Sequence, residues 1–587
     1  MFTIHNGLYN SIRKESNYLP LDDYKLTVIF RFAKIGVCIS KGGIKMKVII
    51  IGGVAGGAST AARLRRLDEK AEIILIERGN FISFANCGLP YFIGDVIKNK
   101  KDLLVQTPEN FNRRFNIDVR IKQEVIGINR QEKYVQIKNL ETNEEYNETY
   151  DKLVLSPGAK PINPFKNIES ERIKTLRNVE DSISIKETIL NKHLKNISII
   201  GGGYIGVEVA ENLSNYKDIK VTMIEKSSHL IAPLDKDMAR FVHNVLRGNG
   251  INLILNNGVK EINNNNELNI TLENDENVET DFIILCIGVR PEDDLARQAG
   301  LDIYPNGGIV VNEQMKTNDN DIYALGDAVK IKNCVTEEFA NISLAGPANK
   351  QARIVANNIC GIKSKYDGSI GSSILKLFNY NVGMTGINEA IAKMKNMQYK
   401  TIILSPFSHA TYYPGANMLT IKAIYEEKTG RILGAQIFGK EGVDKITDIL
   451  ATAIIMKMTA YDLEKLDLCY APPFSSAKSP VNLLGNSIVN VIEGLVETVT
   501  WEDVKERNED VKVLDVRTDR EYEAGAYKDC IHIPLDDLRN RLNELDMTKT
   551  YLVYCRTGLR SYIACRILSQ NGFKVKNITG GYYYYEQ

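Results

Sequence analysis

Two regions of this chain repeat one pattern of apolar and small residues. Val48-Ile-Ile-Ile51 runs into Gly52-Gly53-Val54-Ala55-Gly56-Gly57 and then Ala58-Ser-Thr-Ala-Ala-Arg-Leu64, and the next apolar run, Ile73-Ile-Leu-Ile76, stops at Glu77. The pattern predicts a strand, a tight turn, a helix and a second strand closed by a carboxylate. It returns in Ile197-Ser-Ile-Ile200, Gly201-Gly-Gly203-Tyr204-Ile205-Gly206, a helix through Leu213, and Val221-Thr-Met-Ile224 closed by Glu225. A single glycine loop of this kind is weak evidence. Two complete units, each with its closing acid, are hard to produce by chance. Each offers a helix N-terminus for a pyrophosphate and an acid for ribose hydroxyls. The first unit carries Val54 where the middle fingerprint glycine is expected; the second matches throughout. Residues 1–45 show no clear periodicity, and Leu26-Thr-Val-Ile-Phe30 amounts to a short strand. They read as an irregular extension, a translation start placed too early, or an appendage packed on the body. No apolar run approaches the ~20 residues needed to span a bilayer.

Composition narrows the picture. At 587 residues the chain exceeds one core and predicts three or four domains. With 44% hydrophobic and 25% charged residues and a net charge of +1, it has no electrostatic bias toward nucleic acid or a membrane surface. Nine cysteines lie scattered without pairing rhythm, which fits a reducing cytoplasm. Six dispersed histidines and no Cys-x2-Cys predict no metal site.

The candidate chemistry centres on Ser83-Phe-Ala-Asn86-Cys87-Gly-Leu-Pro-Tyr-Phe92-Ile-Gly94. A lone thiol there needs a redox partner from elsewhere: a mixed disulfide, a sulfenic acid or a persulfide. Its reactivity calls for a depressed pKa, which a helix N-terminus can supply. Thr317-Asn-Asp-Asn-Asp-Ile-Tyr-Ala-Leu-Gly326-Asp327, Leu153-Val-Leu-Ser-Pro157-Gly158-Ala and Phe282-Ile-Ile-Leu-Cys-Ile-Gly288-Val-Arg-Pro resemble segments of the flavin disulfide reductases. Those enzymes carry Cys-x4-Cys, whereas Phe92 stands five residues after Cys87 here. The resemblance implies an FAD domain (46–160 and 285–368) interrupted by an NAD(P)H domain (161–284), both Rossmann-like, in an α/β chain. The cofactor positions it implies are Gly52, Gly53, Val54, Ala55, Gly56, Gly57, Glu77, Arg78, Val125, Pro157, Gly158, Gly201, Gly203, Tyr204, Ile205, Gly206, Glu225, Gly288, Gly326, Asp327 and Ala345. Glu225 favours NADH, while Lys226 beside it could tolerate a 2′-phosphate; NADH and NADPH both stay open.

The Cys87 segment more closely resembles that of coenzyme A-disulfide reductases and the related persulfide and polysulfide reductases, whose order residues 46 to about 490 follow. In that family coenzyme A is the missing second thiol, held as a mixed disulfide with the cysteine. Arg63 and Arg66, three apart on one helix, can share a face. Matching positions implicate them with Ser59, Ser83, Asn86, Asn349 and Lys478 in coenzyme A binding. An α+β dimerisation domain (369–490) would supply His409-Ala-Thr-Tyr412-Tyr413 and Leu468-Cys-Tyr470, whose phenols reach a partner subunit's thiolate. Tyr412 and Tyr470 match by position, with Tyr413 a close rival, and the site would be shared across a homodimer. Ser479 stands where the family's pattern has Asp.

Residues 497–587 resemble a rhodanese domain of α/β fold. Tyr551-Leu-Val-Tyr-Cys555-Arg556-Thr557-Gly558-Leu559-Arg560 reads as a strand, an active-site loop and a helix start. Backbone N–H groups there would stabilise a thiolate or persulfide, and Arg556 and Arg560 add positive charge. The leading expectation is an FAD enzyme that uses NAD(P)H to reduce coenzyme A disulfide, coenzyme A persulfide or polysulfide, with Cys555 handling sulfane sulfur. The alternatives are an NADH oxidase or peroxidase cycling Cys87 through sulfenic acid, and a sulfur-carrier or redox-sensing interaction protein.

Overall fold

The computed structural model describes residues 45–587 apart from 166, 167, 169, 265 and 266. The expectation about residues 1–45 therefore lies, Lys45 aside, outside the described residues. Two parallel five-stranded sheets have the same build. In the first, the order is Ile322–Ala324, Lys152–Leu155, Lys47–Ile51, Glu72–Glu77, Asp118–Ile121. In the second it is Asn252–Ile254, Lys220–Ile224, Asn196–Ile200, Phe282–Leu285, Ile173–Thr175. The unbroken apolar runs sit in their centres because both faces are covered, by helices and by the apolar side of a β-meander; Val48, Ile49 and Ile50 have no exposed surface. Each sheet has a three-stranded antiparallel meander inserted before its next strand, Gln123–Asn129 to Glu145–Thr149 ahead of Lys152–Leu155 and Val259–Asn264 to Asn277–Glu279 ahead of Phe282–Leu285.

Glycine is required where helix meets strand. Gly52 has φ +96, and a Cβ on Gly57 would lie 1.8 Å from the Gly52 carbonyl oxygen. Gly201 and Gly206 repeat this contact at 2.2 Å in the second unit. Only there can the helix start directly over the strand end.

A third, antiparallel sheet runs Ser373–Leu377, Tyr380–Gly386, Ile432–Gly439, Thr420–Glu426, Tyr399–Leu404, backed by helices Val443–Ile455 and Pro480–Ile492. Ser479 caps the latter helix, its Oγ accepting from the Asn482 N–H at 3.1 Å. The C-terminal unit is a parallel sheet ordered Thr498–Val499, Lys574–Ile578, Thr550–Tyr554, Val511–Asp515, Cys530–His532. It docks on the outer edge of the third sheet. The Ile403 N–H donates to Thr579 Oγ1 at 2.6 Å, and the Gly580 N–H donates to the Ile403 carbonyl at 2.9 Å. An open strand edge is thereby covered.

Beside this contact, Tyr584 is fully buried against Phe241 and donates its hydroxyl to Asp237 at 2.6 Å. Asp237 belongs to a cluster that ties three units together. Lys422, 1% exposed, meets Asp235 at 3.0 Å, Asp237 at 2.8 Å and Glu389. Burial alone would lower the Lys422 pKa, but Asp237, Asp235 and Glu389 outweigh it and the net shift is upward. Burial likewise opposes ionisation of Asp237, and Lys422 overrides it, leaving its pKa lowered. No helix among the described residues is long and apolar enough to cross a membrane.

Candidate active site

The two glycine turns are built alike down to their acids. Glu77 accepts the Gly53 and Gly79 N–H groups, each at 2.8 Å. Glu225 accepts those of Gly202 and Ser227, each at 2.7 Å. Burial pushes the Glu77 pKa up and these N–H bonds only partly restore it, so the acid is fixed in place with lone pairs left for hydroxyl donors. A Cβ on Gly203 would meet nothing within 4 Å, so the second turn faces open space that a phosphate can enter. On this geometry both cradles fit a dinucleotide.

Other expected cofactor positions lie beyond strand ends. Gly158 and Gly326, at φ +81 and +75, follow strands of the first sheet, and Gly288, at φ +108, follows a strand of the second. Val125 is buried in its meander and Ala345 opens helix Ala345–Ile359. Asp327 accepts from Arg177 at 3.1 Å, a partner the motif alone does not reveal. Arg78 is already bidentate to Glu292, at 2.6 and 2.9 Å. Lys226 pairs with Glu273 at 2.6 Å, which draws its charge away from a 2′-phosphate.

The Cys87 segment is pinned to the first turn, where the Ser83 N–H donates to the Gly53 carbonyl at 2.8 Å. Cys87 is exposed, and no disulfide joins the eight cysteines among the described residues. The expected depressed pKa is not what the protein surroundings produce. Burial by neighbouring groups raises it first, Glu208 raises it next, and Asp327 adds to this. The helix after Cys87 is only Leu89–Ile93, too short for much dipole. Beside it, the buried Asn86 Oδ1 has no hydrogen-bond partner among the described residues.

Helix Ala55–Leu67 packs along helix Ala345–Ile359 and brings the expected polar residues together. Ser59 Oγ donates to Asn349 Oδ1 at 2.6 Å. Arg63 donates to Asn357 Oδ1 at 3.1 Å, and its pKa is lowered by burial, then by Arg353 and Arg66. Three guanidiniums therefore crowd one face, with Arg66 and Arg353 exposed. An anion relieves that repulsion. Arg353 escaped the sequence reading; its position four residues after Asn349 on one helix was the available signal. Arg65, between the pair, is instead buried and donates to carbonyls including those of Phe115 and Ala71, each at 2.8 Å.

Tyr412 is 74% exposed, and its hydroxyl lies 2.5 Å from that of Tyr470. That hydrogen bond, before any burial, raises the Tyr412 pKa. Tyr413 turns the other way, edge-on to the buried His409. Lys478 is exposed on the same surface loop as Tyr470.

In the C-terminal unit Cys555 ends strand Thr550–Tyr554 and is fully buried. Its sulfur accepts the Gly558 N–H at 3.1 Å, at the start of helix Leu559–Gln570, and the Ser561 hydroxyl at 3.5 Å. Arg556 pairs with Glu586 at 2.8 Å, and Arg560 is bidentate to Glu521 at 2.7 Å. The positive charge expected from both is thus largely balanced. Thr557 and Leu559 complete the loop, Leu559 67% exposed.

Comparison with known proteins agrees with this layout. The chain matches the pyridine nucleotide-disulphide oxidoreductase family over residues 46–352, that family's dimerisation domain over 372–480, and the rhodanese-like domain over 500–587. It is 36% identical to the coenzyme A disulfide reductase of Staphylococcus aureus (strain JH9) over 440 residues, 75% of this chain and 99% of the relative. It is similar to the structure of reduced Bacillus anthracis CoADR-RHD, with a TM-score of 0.90 and 45% identity over 93% of this chain and 98% of that one. It is also similar to an NAD-dependent persulfide reductase from A. fulgidus, with a TM-score of 0.87 and 37% identity over 92% of this chain and 100% of that one. With two matching nucleotide cradles, a free cysteine against the first and a further cysteine loop at the C-terminus, the chain belongs to the pyridine nucleotide-disulphide oxidoreductase family and carries a rhodanese-like domain.

Proposed function

We propose that the protein reduces coenzyme A disulfide or coenzyme A persulfide at Cys87 and handles sulfane sulfur at Cys555. The observation that carries this reading is the exposed Cys87, which has no disulfide partner, in a chain whose helix Ala55–Leu67 gathers Arg63 and Arg66 with Arg353. The cysteine lacks a protein partner, and the surface nearby is built for phosphates and amides. When bound, NAD(P)H and FAD supply two electrons to the site. Cys87 as thiolate attacks one sulfur of the substrate disulfide, forming a Cys87–coenzyme A disulfide and expelling a coenzyme A thiolate. A phenol of the Tyr412–Tyr470 pair donates the proton that thiolate takes up. The two electrons and one proton then return Cys87 to thiolate and release the second coenzyme A as thiol.

The exposed pair and its neighbour Phe474, 72% exposed, support a homodimer in which these phenols serve the partner's Cys87. Glu225 on its turn and Lys226 tied to Glu273 support NADH over NADPH. Eight cysteines among the described residues without a disulfide support a cytoplasmic location.

The test is the intact mass of the native, unreduced protein. An adduct of coenzyme A size on Cys87, lost on mild reduction, is expected. A sulfenic acid alone under the same conditions overturns the reading in favour of a peroxidase. Independently, Arg66→Ala should raise the KM for coenzyme A disulfide about tenfold, the scale of one charged hydrogen bond, with kcat little changed. The difference should shrink as salt rises; an unchanged KM in steady-state assays removes Arg66 from the site.

A further inference from the structure

The helix that follows the second glycine turn, Tyr204–Leu213, is pressed against the short helix that follows Cys87, Leu89–Ile93. The joint is tight at the backbone. A Cβ on Gly94 would lie 2.5 Å from Asn212 Cβ, Tyr216 donates to the Ile93 carbonyl at 2.7 Å, and Asn215 donates to the Gly94 carbonyl at 3.0 Å. Inside it Tyr91, one helical turn beyond Cys87, points its hydroxyl at Glu208 Oε1, 3.5 Å away. The bond is long, but it links the nucleotide-binding helix to the thiol's own segment.

The charges around this joint are mostly negative. Glu211, one turn beyond Glu208, accepts the Phe378 N–H at 2.9 Å and Lys376 at 3.2 Å from the third sheet, so that lysine is spent on Glu211. Tyr204, on the same helix, is bonded to Ser373. On the far side of the Cys87 segment, Lys186 pairs with Asp95 at 2.9 Å and covers the Phe92 ring. Asp327, paired with Arg177 at 3.1 Å, adds negative charge felt by Cys87 from the first unit. Burial, then Glu211, push the Glu208 pKa up to about 7, against the Tyr91 hydroxyl, which lowers it. Burial, then Glu208 and Glu211, lift Tyr91 to about 12, so it stays a neutral donor.

We propose that Glu208 is a positioning residue for Cys87: it holds or releases a proton against Tyr91, and its charge sets how readily the cysteine becomes a thiolate. The proton is exchanged with solvent. With Glu208 neutral, Cys87 ionises against Asp327 alone; with Glu208 ionised, a second carboxylate opposes it. The inference deepens the assignment of Cys87 as the redox thiol and rests on it. Its readout is the thiol's own titration, so a failed disulfide assay and a failed Glu208 effect are separate results.

The experiment is the rate of Cys87 alkylation by iodoacetamide, followed by mass spectrometry of its peptide in the flavin-loaded, pre-reduced protein between pH 5.5 and 10. Removing the carboxylate in Glu208→Gln should move the profile to lower pH, making alkylation about three- to tenfold faster near neutrality. Glu208→Asp, which keeps a charge, should stay close to wild type. Tyr91→Phe removes the bond that favours the ionised carboxylate and should shift the profile the same way as Glu208→Gln, though less. It serves as the test if the glutamine variant does not load flavin. Superimposed profiles for wild type and whichever of these variants loads flavin, or a shift in Glu208→Asp as large as in Glu208→Gln, overturn the proposal.

Discussion

Cys87→Ser is expected to lose disulfide turnover on the order of 10³-fold or more, because a serine hydroxyl cannot exchange with a disulfide sulfur. Bleaching of the flavin absorbance by NADH should persist within about a factor of two, since neither nucleotide cradle involves Cys87. Stopped-flow absorbance with NADH alone, and then with coenzyme A disulfide, separates the two. The contrast matters because the protein does little to activate this thiol by itself. Burial, Glu208 and Asp327 all raise its pKa. Turnover that survives in the serine variant would move the chemistry to another cysteine. Cys469, exposed next to Tyr470, would be the first to examine.

Lys422→Met should be the most destabilising single change in the body. Lys422 is the cation for Asp235, Asp237 and Glu389, and it is 1% exposed. Breaking a buried pair by removing one partner costs about 3–5 kcal/mol, because the remaining charges stay buried. The sign with pH follows from the shifts. In the wild type Asp237 has a lowered pKa, so its contribution is present above the ordinary aspartate range and is lost as pH falls through the folded value. Without Lys422 the three carboxylates face one another, and Asp237, left with the burial that opposes its ionisation, moves above its unfolded value. The penalty is then full at neutral pH and shrinks on acidification toward about pH 5. Thermal melts of both proteins at pH 5 and 7.5 check this; equal midpoints at pH 7.5 would refute it. The same cluster holds Tyr584, so release of the C-terminal unit, seen as faster proteolysis near residue 497, should accompany the loss.

The parts of this fold that read directly from sequence are those whose signal is local. The glycine turns, their closing acids and the Cys555 loop each occupy one continuous stretch in which sterics leave few alternatives. What was hidden depends on residues brought together from different elements. Arg353 joins Arg63 and Arg66 only when two helices distant in sequence pack. Glu208 looks like an ordinary solvated helix position until Leu89–Ile93 closes over it. Tyr412 and Tyr413 are equivalent as letters, and only the loop backbone, held by His409 and Ser408, turns one toward Tyr470. The Tyr582-Tyr-Tyr-Tyr585 run carries no motif, yet Tyr584 is an anchor into a charged core.

The strand order of the first sheet also dictates a timetable. Lys152–Leu155 needs Ile322–Ala324 as its outer neighbour, and all five strands of the second sheet lie between them in the chain. As the polypeptide lengthens from its N-terminus, the second sheet has every strand it needs while the first still lacks one. For that interval the apolar edge of Lys152–Leu155 stays open, the kind of exposed edge that recruits other chains. Closing it then requires a long loop whose ends are brought together by the sheet already formed within it, which lowers the entropic cost of a contact otherwise very distant in sequence. The guest is folded before its host.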